Sequence, residues 1–264
     1  MPATRGFGDP RTGQSPYVDW PAYDVVAQAM SGFVSMNGAA PGEEVKAGPF
    51  IGDIYPGTVA AVGVLAAVLH AKMTGEGQFV DVSMVDAMIS LSEMGVVRQS
   101  YMGRTTPPTG NRAESASPFG IFPTKDGSCA IAAPTDKAWQ QLAALIGRPD
   151  LAEGELSRTL ALRVKNRDIV EGALVEWSTR HTNAEILAVL GGKVPCGPVN
   201  SPLDLFDDPH VAARDMLVSV EQTEGRPVVL VNTPLRFTAT PVGIYRRPPR
   251  KGEHNAEIFG ESGD

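Results

Sequence analysis

The most apolar run of the chain covers residues 58–71, and from Pro56 to Met73 the hydrophobic residues are small and occur on every side of a predicted helix. Because a helix that is apolar all round is buried all round, this pattern predicts a core helix that begins near Pro56. The sequence TGEGQ ends it, with Gly75 suited to a left-handed cap. The apolar run 58–71 is shorter than the roughly 20 residues that cross a bilayer, so we expect no membrane span and no membrane partner.

Helical spacing predicts two more helices in the first part of the chain, over AYDVVAQAMSGFVSM and VDAMISLSEMGVVRQSYM. A short alternating strand, FVDVSM, is expected directly before the second of these helices. In that helix Val85, Met88, Ile89 and Leu91 are expected to face inward.

A different pattern begins after residue 112. The sequence FGIFPTKDGSCAIAA predicts a hairpin in which Lys125, Asp126 and Gly127 turn the chain between two β-rich arms. Helices are expected over DKAWQQLAALIG, RVKNRDIVEGALVEWSTR and TNAEILAVLGG, so residues 113–192 should form a small α+β domain. The remainder, 193–264, is predicted to hold one or two strands in VVLVNTPLRFTATP and a short final helix.

Composition narrows the possible partners. The chain has 264 residues and a formal net charge of −7, and its Lys and Arg cluster only near the C-terminus, which argues against a nucleic-acid partner. The two cysteines are too few for a disulfide framework and the first 20 residues lack the pattern of a secretion signal, so we expect a cytoplasmic protein. The four histidines have no second ligand at metal-binding spacing, so no metal site is expected.

One acidic residue has a context that suggests chemistry. Asp53 lies between two glycines in GPFIGDIYPG, directly before the predicted core helix. A carboxylate in this position is usually a helix cap that accepts hydrogen bonds from first-turn N–H groups. Gly52 and Gly57 would, however, let a ligand approach the backbone, and a rigid helix N-terminus that favours an anion suits a carboxylate nucleophile. The residues alone leave both interpretations open.

Seven stretches of the chain together carry a resemblance to a known family. They are GFG at 6–8, PAYDVVAQAMSG at 21–32, GDIYPGTVAAVGVLAAVLHAKMTGEGQFVDVSMVDA at 52–87, FGIFPTKDG at 119–127, GRPDL at 147–151, VPCGPVNSPLDLFDDPHVAARDM at 194–216 and KGEHNAEIFGE at 251–261. They resemble, in order over essentially the whole chain, the class III CoA-transferases, the CaiB/BaiF-type family that also contains an acyl-CoA racemase branch. Seven motifs in register are far more specific than any one of them.

This resemblance implies an α/β protein with the class III CoA-transferase fold. Residues 1–112 would be part of a Rossmann-like large domain, 113–192 the small α+β domain, and 193–264 a return to the large domain, within an interlocked homodimer. Asp53 matches the family's nucleophile, which forms a covalent aspartyl-CoA thioester as CoA passes between carboxylic acids. The implied substrates are coenzyme A as acyl-CoA and a carboxylic acid, and no permanently bound cofactor is implied.

The resemblance also assigns roles to residues away from Asp53. Ala22, Tyr23 and Asp24 match positions next to the CoA and the substrate. The racemase branch has a His-Asp pair at Tyr23-Asp24 and uses that histidine to move a proton, and a tyrosine is a poorer proton shuttle near neutrality than a histidine. A transferase is therefore favoured over a racemase or epimerase, which remains the alternative within the same superfamily.

Residues Ser115, Ala116 and Ser117 match the loop where some members carry a glycine-rich lid over the substrate. This chain has no glycine run there, so an ordinary linker is the alternative interpretation of the loop.

Full-length members of the family begin with a half that supplies most of the CoA contacts, and this sequence resembles the part after it. Before Pro21 there is no Gly-rich strand-turn-helix pattern for phosphate binding. We expect a separate chain to supply that half. The alternatives are a truncated product and a non-catalytic subunit of a split transferase.

Overall fold

A computed structural model describes residues 7–9, 11–13 and 15–260 of the chain. Gly6 of the GFG motif and Glu261 of the last motif lie outside the described residues. The protein is a mixed α/β structure that divides into two compact units, the first ending at Gly197 and the second beginning at Pro198. The predicted domain boundaries after residues 112 and 192 stay predictions.

The first part of the chain is helical. Its helices α1, α2 and α3 pack on one another around a small core formed by Phe7, Ala22, Ala27, Val85 and Met88. The elements are α1 (Asp24–Met30), a 3₁₀ helix (Val34–Met36), α2 (Ile51–Thr74), α3 (Met84–Leu91) and α4 (Glu93–Met102).

Three predicted elements in this part differ from the observed ones. The first helix stops at Met30 because Gly32 adopts a φ of 81°, which an α-helix does not allow. The predicted second helix is two helices separated at Ser92, and Ile89 and Leu91 are exposed although Val85 and Met88 are buried as predicted. The strand FVDVSM is absent within the described residues, since an isolated segment has no neighbouring strand to accept its hydrogen bonds.

Helix α2 differs more from the sequence-based prediction than any other element that the structure describes. It begins at Ile51 rather than near Pro56, and Gly52 and Pro56, both near its start, are its buried residues. Further along, Leu65 is 70% and Leu69 60% exposed. The prediction of a buried core helix is therefore wrong for this chain by itself, because an apolar helix is buried only where other protein covers it. The predicted left-handed cap at Gly75 is confirmed, with a φ of 82°.

The same helix also changes the argument about membranes. It has 24 residues and a mean hydropathy of 1.7, so by length and composition alone it passes as a helix that could span a bilayer. The exclusion of a span by length was based on residues 58–71 and does not hold for the full helix.

The small α+β fold is close to the prediction. The hairpin of β1 (Phe119–Pro123) and β2 (Ser128–Ala132) is antiparallel, with Phe119 opposite Ala132 and Pro123 opposite Ser128. A third strand, β3 (Cys196–Pro198), lies beside β2. The helices of this small α+β fold cover a core centred on the buried Trp139. They are α5 (Asp136–Leu145), α6 (Pro149–Ala152), α7 (Leu160–Lys165), α8 (Arg167–Ser178) and α9 (Asn183–Leu190).

The second unit is small and contains little regular structure. Its strands β4 (Leu217–Val220) and β5 (Val228–Val231) form an antiparallel pair. The sequence VVLVNTPLRFTATP, predicted to contain one or two strands, contains one, β5. The predicted final helix is present. Around the pair lie a 3₁₀ helix (Asp204–Phe206), α10 (Pro209–Ala213) and α11 (Asn255–Phe259).

Candidate active site

Asp53 is the third residue of α2 and its side chain is exposed to solvent. The N-cap position belongs to Phe50, and no side chain caps the helix. The interpretation of Asp53 as a helix cap is therefore wrong. Within the part of the chain that the structure describes, the Asp53 carboxylate has no hydrogen bond or ion pair, so both oxygens are open to a ligand. The side chain lies in the first turn of α2, at the positive end of the helix dipole.

The backbone next to Asp53 is fixed by Asp24 of α1. Asp24 Oδ1 accepts a hydrogen bond of 2.7 Å from the Gly52 amide. A Cβ atom at Gly52 would lie 2.7 Å from the Asp24 carbonyl oxygen and 3.0 Å from its Oδ1. Gly52 is thus required by the close approach of α1 to α2, and not by the approach of a ligand. At Gly57, by contrast, a Cβ would meet nothing within 4 Å.

The three consecutive residues Ala22, Tyr23 and Asp24 differ in what they offer a ligand. Ala22 and Asp24 are 1% and 5% exposed, so their side chains face protein. Tyr23 is 73% exposed and precedes the first residue of α1. Tyr23 directly precedes Asp24, and Asp53 directly follows Gly52. Because the Gly52 amide donates a hydrogen bond to Asp24, Tyr23 and Asp53 are each one residue away from this hydrogen bond. The structure therefore places these two exposed side chains at neighbouring helix starts.

The loop that contains Ser115, Ala116 and Ser117 is held by charged residues that are buried or partly buried. Arg167 Nη2 donates to the carbonyl oxygens of Ala113, Glu114 and Ala116, at 2.7, 3.1 and 3.2 Å. The hydroxyl of Ser117, which is fully buried, donates to Glu171 Oε1 at 3.0 Å. Ser115 alone among the three predicted residues has an exposed side chain.

The anchors of this loop were missed by sequence reasoning. Arg163 is fully buried and its Nε donates to the Ser117 carbonyl at 2.9 Å. Glu171 is 1% exposed and forms an ion pair with Arg167, four residues earlier in α8. That i, i+4 spacing is readable in the sequence as a helical pair, but only the fold shows that the pair is turned towards the loop.

The loop is also connected to the helical part of the first unit. Arg98 of α4 makes two hydrogen bonds to the Glu114 carboxylate, and these bonds lower the pKa of Glu114. The pair is partly exposed, so its net contribution to stability is small. The predicted substrate loop 115–117 is thus a fixed segment, and Ser115 is its accessible residue.

The two cysteines do not supply a thiolate nucleophile. Cys129 on β2 is buried and Cys196 on β3 is half-buried, and burial raises the pKa of both thiols. A thiol of raised pKa is protonated near neutrality and unreactive. Among the described residues no three His, Cys, Asp or Glu side chains converge on one point that could hold a metal ion.

The fold is that of known proteins. A crystal structure of a CaiB/BaiF family protein from Brucella suis superposes with a TM-score of 0.81 at 28% sequence identity, covering 97% of this chain and 66% of that one.

Sequence comparison agrees with the fold. The sequence profile of CoA-transferase family III matches residues 2–255, so this chain belongs to that family. It is 37% identical over 260 residues to the succinyl-CoA:mesaconate CoA-transferase of Haloarcula marismortui, covering 98% of this chain and 65% of that protein. The succinate–glutarate CoA-transferase of Agrobacterium fabrum is 33% identical over 260 residues, covering 97% and 63%. The chain therefore spans just under two thirds of the length of these curated relatives.

Proposed function

We propose that this chain provides the carboxylate nucleophile, Asp53, of a CoA-transferase that moves CoA between carboxylic acids. The observation that carries the proposal is the Asp53 carboxylate itself. It is exposed, it has no partner within the described residues, and it lies in the first turn of a helix whose backbone is fixed by Asp24. A nucleophile has to be free to react and carried on a well-positioned backbone, and Asp53 combines a free side chain with a backbone that is bonded at Gly52.

The proposed reaction uses the carboxylate twice. An Asp53 oxygen attacks the carbonyl carbon of an acyl-CoA, the C–S bond breaks, and a mixed anhydride and CoA thiolate result. The thiolate then attacks the Asp53 carbonyl carbon, which releases the first acid and leaves an aspartyl-CoA thioester. An acceptor acid reverses these two steps, so that a new acyl-CoA leaves and the Asp53 carboxylate is regenerated. Because an anhydride hydrolyses readily, water has to be excluded while it exists.

We propose that protein outside these 264 residues closes over the exposed Asp53 side chain and supplies the CoA contacts that the family resemblance implies. Tyr23, also exposed and next to the same helix contact, would then line the substrate side. Asp53 and Tyr23 would be shielded from solvent only in the completed assembly.

Trapping of the covalent intermediate tests the proposed function. Both relatives described above are named for succinyl-CoA or succinate, so succinyl-CoA is the first donor to use. The purified chain, alone and co-expressed with the product of a neighbouring reading frame, is incubated with succinyl-CoA and digested for mass spectrometry. We expect a CoA thioester on the peptide that contains Asp53.

The other outcomes separate the competing functions. Absence of the adduct in both preparations would contradict a transferase and favour a non-catalytic subunit. Deuterium incorporation at Cα of a 2-methylacyl-CoA, without an adduct, would instead indicate the racemase or epimerase.

We also propose that a second copy of this chain covers part of α2 in a homodimer. The exposed residues Val62, Leu65, Leu69 and Met73 recur at three- and four-residue intervals and form one apolar face. Val80 of the same chain already lies against this helix, since a Cβ at Gly63 would be 2.9 Å from its side chain. Because the helix already packs against protein at this point, we assign its apolar face to protein rather than lipid. Soluble monomers rarely expose apolar patches of this extent.

Light scattering after size-exclusion chromatography measures the dimer directly. We expect twice the mass of the chain for the wild type and a shift towards the monomer for Leu65→Glu. His70→Glu, an exposed position on the same helix, is the matched control for an added charge. A monodisperse monomer of the wild-type chain would show that the homodimer proposal is wrong.

A further inference from the structure

The segment that leads into Asp53 is attached to α1 at both of its ends. At one end the Gly52 amide donates to Asp24 Oδ1 at 2.7 Å. At the other end the Ala47 amide donates to Gln28 Oε1 at 2.9 Å. Asp24 and Gln28 are four residues apart on one face of α1, and they are 5% and 0% exposed. Two buried side chains of one short helix thus define the path of residues 47–52.

The same two side chains are bonded to each other. Gln28 Nε2 lies 2.9 Å from both Asp24 Oδ1 and Asp24 Oδ2. The amide nitrogen of Gln28 donates to the Asp24 oxygens, and the amide oxygen of Gln28 is left to accept from the Ala47 amide. Hydrogen-bond donation therefore runs in one direction, from Ala47 through Gln28 to Asp24.

We propose that Asp24 and Gln28 are positioning residues for Asp53, rather than residues that contact CoA. The catalytic part of this inference rests on the proposed function. Asp24 is buried and its oxygens are engaged by Gly52 and Gln28, so it has little capacity left for a ligand. What it fixes is the amide of the residue immediately before the nucleophile. A displacement of about 1 Å at a reacting group can cost roughly 100-fold in rate.

A reciprocal exchange of the two side chains tests the inference. In Asp24→Asn two amide groups face each other, and in Gln28→Glu two carboxylates do, so each single variant loses a bond in the buried network. In the double variant Asp24→Asn/Gln28→Glu, the new amide can donate to the new carboxylate while their oxygens still accept from Gly52 and Ala47. The double variant has the same volume and net charge as the wild type. It keeps the bonds to Gly52 and Ala47, and it replaces the two bonds between Gln28 and Asp24 by one that is donated in the opposite direction.

We expect the two single variants to lower the rate of adduct formation at saturating succinyl-CoA by about 10- to 100-fold. The KM for succinyl-CoA should change by less than about threefold, because neither side chain contacts CoA. The double variant should return to within about threefold of the wild-type rate. A raised KM with an unchanged maximal rate would overturn the inference in favour of a CoA-contacting Asp24.

A second readout keeps the test independent of catalysis. Amide hydrogen exchange of peptides covering residues 47–53 should be about 10-fold faster or more in each single variant and near wild-type in the double variant. Asp86→Asn, which replaces an exposed carboxylate in the first turn of α3, is the control and should alter neither readout. If exchange in this segment is unchanged in the single variants, the positioning role is wrong whether or not the enzyme is active. If exchange responds as expected but the wild type forms no adduct, the proposed function fails and the structural role stands.

Discussion

Replacing Asp53 by asparagine should abolish the covalent adduct and lower exchange of label between succinate and succinyl-CoA by more than about 1,000-fold. The amide has almost the same shape as the carboxylate but is not an anionic nucleophile. The substitution should leave folding intact, because the Asp53 side chain is exposed and has no partner among the described residues. Changes at such surface positions usually alter the free energy of unfolding by no more than about 0.5 kcal/mol.

Asp86 provides a matched control for this experiment. It is also exposed and also the third residue of its helix, α3, so Asp86→Asn removes the same charge from an equivalent helix position. We expect that variant to retain wild-type exchange. Comparable losses in both variants would show that the effect comes from helix electrostatics, and substantial exchange by Asp53→Asn would rule out a covalent role for Asp53.

Replacing Gly52 by alanine should impair both the fold and the reaction. The added Cβ would lie 2.7 Å from the carbonyl oxygen of Asp24, and neither backbone can yield without moving α1 against α2. Overpacking of this kind costs about 1–3 kcal/mol of stability. It would also displace Asp53, the next residue, so we expect adduct formation to fall by about 100-fold.

The control for this variant is Gly57, five residues further along α2. A Cβ at Gly57 meets nothing within 4 Å, and alanine is favoured over glycine in a helix by about 0.5–1 kcal/mol. Chemical unfolding followed by circular dichroism should therefore show Gly52→Ala destabilised and Gly57→Ala unchanged or more stable. Equal stability of the two variants would mean that α1 and α2 do not approach as closely as described.

Elements made by neighbouring residues were predictable from the sequence. The hairpin 119–132, the cap at Gly75 and helices α5 and α9 follow from local turn and capping chemistry. Predictions that needed a distant partner were less accurate. The strand FVDVSM requires a neighbouring strand and α2 requires a covering surface, and the described residues provide neither.

The family and its candidate nucleophile also came from the sequence, because ordered motifs along the whole chain resemble one family and Asp53 matches its carboxylate. The family is confirmed, and the role of Asp53 stays a proposal. The cytoplasmic location and the absence of a nucleic-acid partner likewise stay predictions.

What the sequence by itself determined was therefore the family, most local elements and the position along the chain where chemistry is expected. The tertiary structure decided which side chains are accessible there: Tyr23 and Asp53 are exposed, whereas Asp24 is buried and bonded to the Gly52 amide. The physical reason is that a motif records residue types and spacing, while burial and hydrogen bonding depend on how α1 and α2 approach each other. That approach is set by a glycine and a buried carboxylate 28 residues apart, a distance over which no local pattern extends.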